Sequence, residues 1–182
     1  MKRFIVPAWT ASLALTGMLA ACGAAPSHVA VSPPFNPAQW VTQNSAQKRV
    51  TFHLYAGEGN RMTFNGYGNG QMVLTVPTGW KVSVRFENVD NAQAHSAMIV
   101  PLKFHTNTEI PASALAFSHA STPNPTMGST YGVQQSFHFA ANKSGTFALV
   151  CGIPGHAAMG MWDTLVISPT AAHASVKIYT HP

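Results

Sequence analysis

From Lys48 to Tyr179 the chain is a succession of short β-branched and aromatic runs, each stopped by a glycine, proline or asparagine turn. That punctuation leaves little room for helix and favours sheets packed face to face. Val50-Thr51-Phe52-His53-Leu54-Tyr55 runs into Ala56-Gly57, and Met72 to Val76 runs into Pro77-Thr78-Gly79. Trp80 to Asn88 sets Trp80, Val82, Val84 and Phe86 against Lys81, Ser83, Arg85 and Glu87. A period of two is that of a half-buried strand, read here as antiparallel. His95 to Val100 is predicted as a strand stopped by Pro101. Gln134 to Ala140 and Thr146 to Cys151 flank the turn Ala141-Asn142-Lys143-Ser144-Gly145, and Met161 to Ser168 and Val176 to Tyr179 follow. The fold class is all-β, a Greek-key sandwich or barrel, and 46% hydrophobic residues suffice to fill its core.

Four stretches stand outside this pattern. Residues 1–21 read as an export signal: Lys2 and Arg3 precede an apolar run, Phe4 to Ala21, that ends in small residues. Leu19-Ala20-Ala21-Cys22 resembles a bacterial lipoprotein cleavage site, which makes Cys22 the expected lipidated N-terminus; a plain secretory signal and a retained helix are the alternatives. Residues 22–35 are rich in Ala, Ser and Pro and read as a tether, which leaves 36–182 as the folded domain. Asn36-Pro37 pairs an N-cap with a proline at the first helical position, predicting a short helix to about Ser45 docked by Trp40. Residues 103–132 form an irregular insertion with Pro111, Pro123 and Pro125. A turn or two of helix is expected within Pro111 to Ala120, and a segment of this length serves function or covers the core.

Charge excludes several classes. Only 8% of residues are charged, and the five acids are Glu58, Glu87, Asp90, Glu109 and Asp163. The net charge of +5 reflects scarce acids rather than a clustered basic face, so no nucleic-acid footprint is present. No phosphate-cradling glycine loop opens a helix, and few carboxylates are on hand for acid–base catalysis. A chain so poor in carboxylates, with nine histidines, also suits an acidic medium.

With Cys22 assigned to the leader, Cys151 is the one remaining cysteine. An exported domain with a single thiol forms no internal disulfide, and that thiol needs burial, a partner or a metal. Its company decides. Cys151-Gly152-Ile153-Pro154-Gly155-His156-Ala157-Ala158-Met159-Gly160-Met161 brings one thiol, one imidazole and two thioethers into a loop that is otherwise small or apolar. Soft sulfur and imidazole donors with a weak thioether select copper, whereas zinc ordinarily takes more thiolates or a carboxylate. The second imidazole comes from elsewhere, and His95, before the apolar run Ala97 to Val100, is the best candidate. His28, His173 and His181 lie near the ends, His105 and His119 in the insertion, and His53 and His138 within strands.

The pattern Cys-x4-His-x4-Met with an upstream histidine opening a strand resembles that of the type I (blue) copper proteins, the cupredoxins. FNGYGNGQMVLTVPTGWKVSVRFEN, AHSAMIVP and FALVCGIPGHAAMGMWDTLVIS resemble the sulfocyanins in particular, with rusticyanins next; the likeness spans about residues 48–168. It implies a cupredoxin-like domain holding one copper ion on His95, Cys151 and His156, with Met161 as the axial ligand. Met161 opens the outgoing strand and Met159 belongs to the rim. Ser96 is expected to bond toward Cys151, and amides after Cys151 to donate to its sulfur. Pro154 removes a donor and stiffens the loop. FNGY is expected to serve packing and turns, Tyr67 and Trp162 to be wall residues, and Met72, Met98 and Met127 to fill the core.

The implied function is an exported, membrane-attached electron carrier of a respiratory chain, not an enzyme. It is monomeric, on the outer face of the cytoplasmic membrane or in the periplasm. It takes electrons from a cytochrome-type donor and passes them to a terminal oxidase, partners docking near His156. A copper chaperone or storage protein is the alternative. Multicopper oxidases need more histidine motifs, and a binuclear centre needs two loop cysteines. A red copper site needs a carboxylate at the metal, which Glu58 or Glu87 reaches only by an unexpected fold.

Overall fold

The computed structural model describes residues 36–179; the export signal, Cys22 and the tether lie outside the described residues. Among these described residues nine strands form two sheets. One holds β1 (Val41–Asn44), β2 (Arg49–Ala56), β4 (Lys81–Asn88) and β6 (Gln134–Ala140), in the order β1-β2-β4-β6. The other holds β3 (Met72–Pro77), β5 (Met98–Pro101), β7 (Gly145–Val150), β8 (Trp162–Ser168) and β9 (Ser175–Ile178), in the order β5-β7-β8-β3-β9. Alternation along the strands builds the core between them. Val50, Phe52 and Leu54 of β2 and Val82, Val84 and Phe86 of β4 are buried, as are Met72, Leu74 and Val76 of β3 and Leu165 and Ile167 of β8. Each such side chain contributes roughly 1.5–3 kcal/mol of burial.

Several sequence expectations are corrected. Asn36 does cap a helical start, accepting from the amide of Ala38, but the helix is a single 3-10 turn, Pro37–Trp40. The β-branched pair Val41-Thr42 then joins β1, which pairs with β2, while Trp40 docks in the core. β4 is not purely antiparallel: it runs parallel to β2 and antiparallel to β6, because alternation fixes which face is buried and leaves strand direction open. Pro111 to Ala120 holds no helical turn; the short 3-10 piece is Leu102–Phe104. Met72 and Met98 fill the core, but Met127 is 75% exposed.

The insertion covers an edge. Ala116 donates to the carbonyl of Ile99, Ile99 to Ala120 and Thr122 to Ala97, so irregular backbone satisfies the free side of β5 and blunts it as a template for aggregation. Phe117 enters the main core, 5.0 Å from Phe139 and 4.8 Å from Phe147 between ring centres. Ile110, Phe104 and Leu115 pack over Val100, Ala148 and Val150 in a smaller cluster.

One core position is polar. Asp163 of β8 is fully buried; its Oδ1 accepts from the amide of Met72 at 2.8 Å and its Oδ2 has no hydrogen-bond partner. Burial holds this carboxyl well above the ordinary aspartate range, against the one amide. The folded chain therefore keeps a proton that the unfolded chain has lost, and stability falls as pH rises through the ordinary aspartate range toward the raised value. Asp163→Asn keeps the amide contact without the ionisation, so it raises Tm at pH 7 and gives no comparable gain at pH 3, read by thermal denaturation at both. An equal change at the two pH values overturns this assignment.

Candidate metal centre

The Cys loop leaves β7 at Val150 and re-enters the sheet at Trp162. Its backbone is tightly laced. The amide of Cys151 donates to the Met161 carbonyl at 3.1 Å, that of Met161 to His156 at 3.0 Å, and that of His156 to Ile153 at 3.1 Å. Gly155 and Gly160 take positive φ at the turns. Two other segments seat the loop. From FNGYGNG, Asn69 donates to Gly160 and Gly70 to Trp162. From the insertion, Thr108 accepts from Gly155, which gives residues 103–132 a role at the site as well as at the edge.

FNGY is turn chemistry, as expected. Asn65 and Asn69 sit at φ 54°, each followed by a glycine at positive φ, a conformation Asn and Gly tolerate best. The Asn65 side chain accepts from Tyr55 and donates to the carbonyl of His53, fastening the turn to β2. Tyr67 is half-buried with its ring edge-on to Trp40, and Trp162 is half-buried against His105.

Among the described residues, one grouping of histidine, cysteine and acidic side chains has donor atoms close enough to share a metal ion: His95, Cys151 and His156, all within 4.8 Å of one another and all buried. Cys151 Sγ lies 3.4 Å from His156 Nδ1, and the two imidazole centres are 5.1 Å apart. His95 is not the first residue of a strand. β5 begins at Met98, and His95 is held instead by an isolated bridge to Ser129, which accepts from and donates to its backbone at 3.1 and 2.8 Å. Met161 also lies outside a strand, just before β8; it is fully buried and pinned through its backbone to Cys151 and His156. Met159 is 58% exposed, on the rim.

Ser96 braces the thiol. Its amide donates to Cys151 Sγ at 3.4 Å, and its hydroxyl lies 3.6 Å from the same sulfur, donates to the Pro125 carbonyl and accepts from Gly152. Burial pushes the Cys151 thiol up, opposed by the amides of Ile153 and Ser96 and by the Ser96 hydroxyl. Burial also holds both imidazoles below the ordinary histidine value; Asp90 opposes this at His95, and His95 adds to it at His156. Without metal the site therefore favours neutral rings with free lone pairs and a protonated thiol, whose proton a metal must displace.

One contact was not read from the sequence. Asp90, in the connection after β4, places Oδ2 3.1 Å from His95 Nε2. Glu58 and Glu87 belong to no such grouping. The other ring nitrogen, His95 Nδ1, is buried with no hydrogen-bond partner. A buried imidazole nitrogen without a partner, beside a thiol and a second imidazole, is what a soft-metal site requires before its ion is bound.

Comparison with known proteins agrees. Residues 37–176 match the model of the sulfocyanin (SoxE) domain. The chain belongs to the sulfocyanin family. It is 30% identical over 113 residues to the sulfocyanin of Sulfolobus acidocaldarius, a match covering 60% of this chain and 57% of that protein. The chain thus spans little more than half the length of this relative. The structure of rusticyanin from Thiobacillus ferrooxidans superposes with a TM-score of 0.51 at 24% identity, covering 71% of this chain and 88% of that one. A reduced rusticyanin gives 0.51 at 22%, covering 71% and 91%. The fold of this sulfocyanin-family chain is that of the cupredoxins. Cupredoxins bind one type I copper ion, and the donors present fit it: two imidazoles and a thiol stand together in an apolar, buried loop.

Proposed function

We propose that this protein is a single-electron carrier whose copper ion would be held by His95, Cys151 and His156, with Met161 supplying a weak thioether donor. The observation that carries the reading is the buried convergence of two imidazoles and one thiol from two well-separated parts of a β-sandwich. Copper supplies a one-electron couple when bound. The chain's contribution is to keep the ligands still: the Ser129 bridge fixes His95, and Ser96, Asn69 and Thr108 fix the loop. Ligands that do not move between oxidation states keep the reorganisation cost of electron transfer low. Met161 and the apolar loop exclude water and disfavour the more highly charged ion, which raises the potential.

His156, 8% exposed, is the ligand nearest solvent. Pro154, Ala158 and Met159 are exposed beside it, and Gly128 lies against Ile153, which brings the exposed Met127 to the same side. Such an apolar, uncharged patch suits the small, weak interfaces of transient redox encounters. The partners on this reading are a cytochrome-type donor and a terminal oxidase of a respiratory chain, met by a monomer outside the cytoplasm. Attachment is through lipidated Cys22. Among the described residues no helix is long and apolar enough to cross a membrane. Copper storage or handover, the competing reading, requires ligands that a recipient can reach, whereas all three donors here are buried.

The test is the purified full chain titrated with Cu(II). An intense visible absorption that one equivalent of reductant bleaches and reoxidation restores is the expected result; a colourless protein that exchanges no electrons overturns the proposal. Met161→Leu keeps the colour and raises the potential, because leucine offers no donor to the oxidised ion and keeps the site dry. Voltammetry of the two proteins checks the sign.

A further inference from the structure

We propose that Asp90 is the positioning residue that turns the Nδ1 lone pair of His95 into the metal site and, through its charge, biases the site toward the oxidised ion. This rests on the electron-carrier reading above. The contact is buried at both ends, with His95 fully buried and Asp90 6% exposed. An imidazole that donates its Nε2 proton to a carboxylate keeps Nδ1 free as a ligand, and Nδ1 is the ring nitrogen left here without a partner. Carboxylate partners of this kind fix the tautomer and raise ligand basicity. A negative charge buried beside the site is little screened and favours the ion of higher charge.

The carboxylate is itself built in. Its Oδ1 accepts from the amide of Ala92 at 2.8 Å, and its own amide donates to Asn88 Oδ1 at 2.9 Å. Asn88, fully buried at the end of β4, donates from Nδ2 to the carbonyls of Ser129 at 2.7 Å and Gln93 at 2.9 Å. Ser129 in turn bridges the His95 backbone. Asn88, Asp90, His95 and Ser129 thus form a closed frame around the ligand. Gly57 leaves room for it. At φ +82° its backbone passes so close that a Cβ there would lie 2.5 Å from the Cβ of Asp90 and 3.2 Å from its Cα. With one oxygen on the amide of Ala92, the other on an imidazole nitrogen and its backbone fixed by Asn88, this carboxylate does more than close a turn.

The experiment separates position from charge. In the metal-free full chain, nitrogen NMR of His95 is expected to show the proton on Nε2. Asp90→Asn retains an oxygen that accepts from Nε2, so the tautomer stays while the charge is lost. Affinity for Cu(II) then falls about 10-fold with Cu(I) affinity little changed, and the potential rises by about 59 mV for each tenfold. Asp90→Leu loses both effects: His95 becomes a mixture of tautomers and Cu(II) affinity falls toward 100-fold. Gly57→Ala, which displaces Asp90, moves the potential in the same direction. The proposal is overturned by a proton on Nδ1 in the metal-free protein, or by Asp90→Asn and Asp90→Leu proteins whose potential and Cu(II) affinity equal the wild type's. Because the tautomer is read without copper, the two readings fail separately. A chain that binds no copper yet shows the Nε2 tautomer, lost in Asp90→Leu, retains the positioning role and sinks the carrier. A blue protein indifferent to Asp90 does the reverse.

Discussion

Replacing Cys151 by serine abolishes the intense visible absorption of the copper-loaded protein and removes most of its Cu(II) affinity, while the β-sandwich stays folded. The colour of such a site comes from charge transfer out of a thiolate, and no other thiol lies among the described residues. The fold survives because the position asks little of the side chain in the metal-free protein. Cys151 is fully buried and receives the amide of Ser96, a contact a hydroxyl oxygen accepts as well. The loss of affinity exceeds the 10–100-fold typical of outer-shell changes, since a direct ligand is gone. Absorption spectra with and without copper, beside circular dichroism, decide the matter. A Cys151→Ser protein that remains intensely coloured places the metal elsewhere.

How much of this was legible in the sequence divides along a physical line. Local patterns were readable. The alternation through Val82, Val84 and Phe86 marks the buried face, and the glycine- and asparagine-rich stretch from Phe64 to Gly70 marks turns, which the structure builds with positive φ at Asn65 and Asn69. The soft donors of the Cys loop marked a metal site, and the structure does bring His95, Cys151 and His156 together. Contacts between distant segments were not readable. β-propensity extends the strand back to His95, but both backbone groups of His95 are taken by Ser129, 34 residues away, so the strand starts later. Asp90 reads as an ordinary turn aspartate; only the closure of Asn88 onto Ser129 points it at an imidazole. The N-cap at Asn36 was right and the helix length wrong, because Val41 and Thr42 gain more by pairing with Phe52 and Thr51 than by extending a turn. Met127 has the residue type of a core filler, yet it follows the insertion to the surface beside Ile153.

The second large effect concerns a glycine far from the donors in sequence. Gly68→Ala is expected to lower stability and loosen the metal loop together. An ideal Cβ at Gly68 would lie 2.6 Å from the carbonyl oxygen of Gly160 and 2.9 Å from that of Met62. Both obstacles are backbone, so no rotamer relieves them. Either the turn around Tyr67 or the stretch between His156 and Met161 has to move. The adjacent bonds, Asn69 to Gly160 at 2.8 Å and Gly70 to Trp162 at 3.0 Å, are the ones that seat this end of the Cys loop. Overpacking of this kind costs about 1–3 kcal/mol, a fall of roughly 2–12 °C in Tm. Because the displaced segment links two proposed ligands, the visible spectrum and the potential shift with it. Gly79→Asn is the control: nothing lies within 4 Å of a Cβ there, so its cost is confined to the backbone strain of a φ of +84°, which asparagine bears better than most residues. That variant keeps the wild-type spectrum, and the Tm it loses to strain leaves the metal loop unmoved. A Gly68→Ala protein indistinguishable from the control would mean that the FNGY turn and the metal loop are independent, and that the seat described here does not hold the site.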